Sequence, residues 1–61
     1  MNIEKLRELM ENTDTNQDKL AEVAGVSQAF VSNMLNGYKT PSVAVLKRIS
    51  EYFHVSMDDL V

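Results

Sequence analysis

No stretch of this chain runs far without a turn signal. Asn12-Thr13-Asp14-Thr15, Gly25-Val26-Ser27, Asn36-Gly37 and Thr40-Pro41-Ser42 interrupt it at short intervals. Between the breaks, apolar residues recur at helical spacing. Residues 2 to 12 place Ile3, Leu6, Leu9 and Met10 on one face. Asn16 can cap a second helix whose apolar face is Leu20, Val23 and Ala24, and Gly25 stands where a left-handed residue commonly ends a helix. Ser27 is placed to cap a third helix. Ser42 is placed to cap a fourth over residues 43 to 53, which buries Val45, Leu46, Ile49 and Phe53. Ser56-Met57-Asp58-Asp59 repeats the cap-plus-acid pattern and starts a short fifth helix. Nothing alternates with period two for long enough to make a strand. The expected fold class is all-α, a five-helix bundle with tight connections. A chain of 61 residues allows one domain, spanning residues 1–61, with a core that is marginal for its size.

The third helix is unusual in its outward face. On a wheel of ~100° per residue, Gln28, Ser32, Asn36, Ala29 and Asn33 fill one arc, and Phe30, Met34, Val31 and Leu35 fill the other. A surface helix ordinarily solvates itself with Glu and Lys, which are good helix formers and pair at i,i+4. This one uses neutral hydrogen-bonding groups, a choice suited to a face that touches something. Phe30 borders both arcs and is expected to pack rather than to contact a partner.

Charge separates along the chain. The net charge of −3 argues at first against an anionic partner. Yet Glu4, Glu8, Glu11, Asp14, Asp18 and Glu22 precede Val23, and Glu51, Asp58 and Asp59 follow Ser50. The segment between holds Lys39, Lys47 and Arg48 and no acid. Local potential decides where an anion can approach. With no cysteine, one histidine and no glycine-rich phosphate loop, the chain offers little for catalysis, and no catalytic residue, metal ligand or cofactor is expected. His54 sits where the fourth helix ends and reads as a C-terminal cap rather than a ligand. No apolar run approaches the roughly 18 residues of a membrane span, and MNIEKLREL is not a signal-peptide pattern. The expectation is a soluble cytoplasmic domain with no membrane partner.

Two helices joined through Ala24-Gly25-Val26-Ser27 form a helix-turn-helix unit. The stretch NQDKLAEVAGVSQAFVSNMLNGYKTPS, with Val55-Ser56-Met57-Asp58-Asp59-Leu60, closely resembles the phage repressor and Cro-type family of DNA-binding regulators. Leu20, Ala21, Gly25, Val26, Ser27, Val31, Met34, Gly37, Pro41 and Ser42 fill that family's pattern, and the likeness covers nearly the whole chain. AEVAGVSQAFVS also resembles the lactose-repressor headpiece, but that family starts its motif almost at the N-terminus. The resemblance implies a lambda-repressor-like domain that lays its third helix in the major groove of double-stranded DNA.

The side chains agree with that implication. Gln and Asn can bond bidentately to adenine N6 and N7, and a methyl group can meet the thymine methyl. Recognition helices of this type approach bases with their N-terminal residues. Gln28 and Ala29 are therefore the leading expected base readers, followed by Ser32 and Asn33. Gln17, at the start of the second helix, and Ser27, at the start of the third, match positions that grip phosphate. Asn36, Tyr38, Lys39 and Thr40 match the loop that such proteins lay along the DNA backbone. Many members of the family also join the first and third helices by an Arg–Glu ion pair; those positions are Met10 and Leu35 here, both apolar. Two hydrophobes can replace a buried pair without loss, whereas losing one partner strands a charge.

The resemblance further implies a palindromic operator bound by two copies. Val55, Met57, Leu60 and Val61, around the expected fifth helix, are the candidate dimer contacts. So few apolar side chains make a small interface, so a monomer or weak homodimer that assembles on DNA is expected. A second reading keeps the fold but assigns it to an antitoxin-like or other protein-interaction module. The outer face of the first helix, with Glu4, Glu8 and Glu11, would then be either solvated or turned to a protein partner.

Overall fold

The computed structural model describes all residues, 1–61, and contains four α-helices: α1 (Ile3–Asn12), α2 (Gln17–Ala24), α3 (Gln28–Leu35) and α4 (Val43–Phe53). The expected fifth helix is instead a three-residue 3-10 turn, Met57–Asp59. Its backbone bonds run Asp59 to Ser56 and Leu60 to Met57, at 3.1 and 3.0 Å. Bonds of this i to i+3 kind make a single tight turn rather than an α-helix.

All four helices begin in the same way. The Asn2, Asn16, Ser27 and Ser42 side chains accept from the amides of Lys5, Lys19, Phe30 and Val45 at 3.0, 2.8, 3.0 and 3.3 Å. Each such cap satisfies an amide that the helix cannot, and is worth about 1 kcal/mol. Asn2 is thus a cap rather than the first helical residue, and Asn36 is likewise the residue that ends α3.

They also end in the same way. Asp14, Gly25, Gly37 and His54 adopt left-handed φ values of 52°, 72°, 82° and 57°. In each case the next residue donates back across the last turn: Thr15 to Met10, Val26 to Ala21, Tyr38 to Asn33 and Val55 to Ser50, at 2.8, 3.1, 2.8 and 3.0 Å. This six-to-one closure satisfies carbonyls that would otherwise be orphaned. His54 is therefore a helix terminator, as its position suggested.

The core is one cluster: Leu6 and Met10 from α1, Leu20, Ala21 and Ala24 from α2, Val31, Met34 and Leu35 from α3, Ile49 and Phe53 from α4, and Leu60. α2 is the central element, lying against both α3 and α4. α1 and the C-terminal turn close the other side, where the Asn2 amide donates to the Leu60 carbonyl at 2.7 Å. A hydroxyl chain secures the α1–α2 connection. Thr13 Oγ1 donates to the Leu9 carbonyl at 2.7 Å and lies 2.7 Å from Thr15 Oγ1, which lies 3.1 Å from Tyr52 Oη. Each hydroxyl has one hydrogen, so with Thr13 committed to Leu9 the order must be Tyr52 to Thr15 to Thr13. Thr15 is buried yet fully satisfied.

One expectation is overturned at the C-terminus. Leu60, read from the sequence as a dimer contact, has no exposed surface and belongs to the chain's own core. Val55 and Met57 are half-buried, and of the four only Val61 stands free, at 72% exposure. A 3-10 turn capped by Ser56 N–H to Asp59 Oδ2 (3.3 Å) turns Leu60 inward instead of presenting it.

Candidate nucleic-acid interface

α3 is fixed by its inner face and leaves its outer face unused. Val31, Met34 and Leu35 are buried and Phe30 is half-buried, which bears out the division between arcs and the packing role of Phe30. Gln28 and Ala29 are exposed in the first turn, Ser32 and Asn33 are half-buried on its shoulders, and Asn36 is exposed at the end. Helical geometry sets Gln28, Ser32 and Asn36 in one row and Ala29 and Asn33 in the next. The side-chain amides of Gln28, Asn33 and Asn36 take no hydrogen bond within the fold, so their donors and acceptors remain available. The face carries no charge.

The segment after α3 is open. Asn36, Gly37, Tyr38, Lys39 and Thr40 are all exposed, and Tyr38, at 78%, pads no turn. Its direction is nevertheless fixed, because the Tyr38 amide is tied to the Asn33 carbonyl and that of Gly37 to Met34 at 3.1 Å. Ser27 is exposed; its oxygen accepts from Phe30 and its hydroxyl hydrogen is unspent. Gln17 is the first residue of α2 and is half-buried, and no group of the fold accepts from its amide. The structure thus brings nine of the ten expected contact residues onto α3 and its two ends. Gln17 stands apart on α2.

The basic middle of the chain is partly committed. Lys39 and Lys47 are exposed. Arg48 instead donates from Nη1 to the Ala24 carbonyl at 3.3 Å, beside Gly25, where a Cβ would run into the guanidinium. Gly25 is favoured by its positive φ, and a side chain there would also displace the Arg48 guanidinium from the Ala24 carbonyl. α3 has a counterpart: Arg7 Nη2 donates to the Leu35 carbonyl at 3.0 Å. Both helices of the pair end on an arginine supplied by a flanking helix. Neither bond was read from the sequence. The available hint was that α2 and α3 have no basic residue in their own last turns, leaving carbonyls in want of a donor.

No three His, Asp or Glu side chains are grouped to hold a metal, and no helix is long and apolar enough to cross a membrane.

The geometry can be set beside known proteins. A family model described as helix-turn-helix matches residues 6–60. The HTH-type transcriptional activator BcrR of Enterococcus faecalis is 36% identical over 58 residues, covering 95% of this chain and 28% of that protein. The uncharacterized HTH-type transcriptional regulator YvzC of Bacillus subtilis is 37% identical over 51 residues, covering 84% of this chain and 66% of that protein. The chain therefore spans only part of the length of either relative. No solved structure matches it. With all but a few residues under the family model, and two capped helices meeting at Gly25-Val26-Ser27, the chain belongs to the helix-turn-helix family of the repressor/Cro type.

Proposed function

We propose that residues 1–61 form one DNA-binding domain of a transcriptional regulator, acting most simply as a repressor, with α3 in the major groove of a double-stranded operator. The observation that carries the reading is the outer face of α3. It is uncharged, rich in unpartnered amides and open to solvent at Gln28, Ala29 and Asn36, on a helix whose inner face packs on the core. Gln28 and Ala29 read bases from the first turn, and Ser32 and Asn33 follow from the shoulders. Asn36, Tyr38, Lys39 and Thr40 run along one phosphate strand, and Ser27 and the free amide of Gln17 hold phosphates at helix N-termini. Between Val23 and Ser50 the chain holds three cations and no acid, and exposed Lys39 lies just past α3, which favours approach of DNA to this segment despite the overall charge.

Two copies meet on a palindromic site. The longest dimension of the fold is 24 Å, whereas successive half-sites in this docking lie roughly 34 Å apart, so one copy covers less than a turn. With Leu60 withdrawn into the core, little apolar surface is left near the C-terminus to hold a dimer without DNA.

Selection of bound sequences from a random duplex pool, followed by titration of the selected site across a salt series, tests the reading. Binding that prefers a two-fold symmetric site and weakens steeply with salt is expected. Absence of binding to any duplex at low salt would move the function to a protein partner. Sedimentation with the selected site should give two chains per duplex.

A further inference from the structure

The backbone of α3 is fully accounted for at its C-terminus. The carbonyls of Ser32, Asn33 and Met34 accept from the amides of Asn36, Tyr38 and Gly37 at 3.1, 2.8 and 3.1 Å. The Leu35 carbonyl lies beyond the reach of that closure and accepts from Arg7 of α1. Arg7 has no carboxylate partner, since the one ion pair of the molecule joins Lys19 and Glu22. Its charge is therefore aimed at a carbonyl and at the negative end of the α3 dipole.

We propose that Arg7 is a positioning residue for α3, setting where the amide face of that helix sits without touching DNA itself. The inference rests on the reading of α3 as the recognition helix. α3 has eight residues, two turns, and cannot hold its own orientation. Its apolar contacts are non-directional and tolerate small slides. A charge-assisted hydrogen bond between elements 28 residues apart in sequence fixes both a distance and a direction. Two-pronged amide contacts to a base depend on that direction, because a displacement of about 1 Å is enough to spoil a preorganised contact. Met10 and Leu35, both buried in the common cluster, contribute non-directional packing and fix no such direction.

Arg7→Met keeps helix propensity and most of the apolar stem while removing the donor. Affinities of the wild type and of Arg7→Met for the selected operator and for a scrambled duplex should be compared across salt, at a temperature where both chains are folded. Amide exchange along the free chains should be followed alongside. The expected result is a loss of about tenfold on the operator, the scale of one charged hydrogen bond, with scrambled-duplex affinity and the salt slope unchanged. Exchange at Asn36, Gly37 and Tyr38 should speed up relative to the amides that end α2. Arg7→Lys, which can still reach a carbonyl with one donor, should recover part of the operator preference. Equal losses on both duplexes with a salt slope lower by about one would make Arg7 a phosphate contact and overturn the proposal. Unchanged operator affinity or unchanged exchange at the end of α3 would overturn it too. A wild type that binds no duplex refutes the DNA reading, and the exchange data still decide whether Arg7 orders α3.

Discussion

α2 and α3 are the same object seen from the backbone. Each has eight residues, a polar cap bonded to its third amide, a left-handed glycine after it, and an arginine from a flanking helix on its last carbonyl. They differ in what they show to the outside. α2 shows Asp18, Lys19 and Glu22, with Lys19 and Glu22 paired at 3.8 Å and both well exposed. That is ordinary solvation, and such a pair is worth little. α3 shows Gln28, Ala29, Ser32, Asn33 and Asn36. Since one chain builds both helices to the same plan, fold requirements cannot explain the second surface. The contrast separates what the motif needs in order to stand from what it carries.

The strongest way to break the equivalence of the two helices acts at the end of α3. Met10→Arg should destabilise the domain by about 3 kcal/mol, because the new charge enters a cluster with no partner for it. Adding Leu35→Glu should recover part of that loss through coupling of neighbouring sites. Denaturant midpoints of both single variants and the double decide it, and strictly additive losses would show that the two positions do not meet.

The glycines provide the next comparison. Gly25→Ala should cost about 2–4 kcal/mol, combining left-handed strain with loss of the Arg48 bond to Ala24. Gly37→Ala meets open space and should cost only the strain, about 1–2 kcal/mol. In an Arg48→Met background the two costs should converge. Thermal or denaturant unfolding reads both, and a gap that persists without Arg48 would show that the guanidinium is not its source.

The outer faces can be compared directly in binding. Gln28→Ala should weaken the selected operator by about 1–3 kcal/mol and relax preference at one base pair, while leaving stability nearly unchanged. Lys39→Ala should weaken every duplex alike and flatten the salt dependence. Equal losses from Gln28→Ala on cognate and random DNA would sink its assignment as a base reader.

The smallest effect extends the comparison to α1 and α4, which close on Asp14 and His54 where α2 and α3 close on glycine. Asp14→Gly or His54→Gly should stabilise by up to about 1 kcal/mol, since relief of left-handed strain is partly offset by the added freedom of the unfolded chain. A loss of stability at either position would mean that the side chain contributes more than it costs.

The local signals of the fold were legible because they act within a few residues. Asn16, Ser27 and Ser42 announce caps that bond three residues ahead, and Gly25, Gly37 and His54 mark closures that bond five residues back. The two arcs of α3 follow from helical periodicity alone, whereas the expected contacts at Gln17, Ser27 and residues 36–40 come from the family resemblance. The run Ser56-Met57-Asp58-Asp59 reads as the start of a fifth helix because a cap with following acids looks alike before an α-helix and a 3-10 turn.

The sequence by itself therefore determined the four α-helices to within a residue or so at their ends, the face each buries, and that one short helix presents neutral amides. Tertiary structure decided the rest. It chose Arg7 and Arg48, among the basic residues, to finish α3 and α2 across 28 and 24 positions. It drew Leu60 into the core beside the Asn2–Leu60 bond and paired buried Thr15 with Tyr52. Each of these depends on how the helices cross, because a carbonyl at a helix end or a gap in a small core accepts whichever side chain the packing brings within about 3 Å. No local pattern encodes that distance.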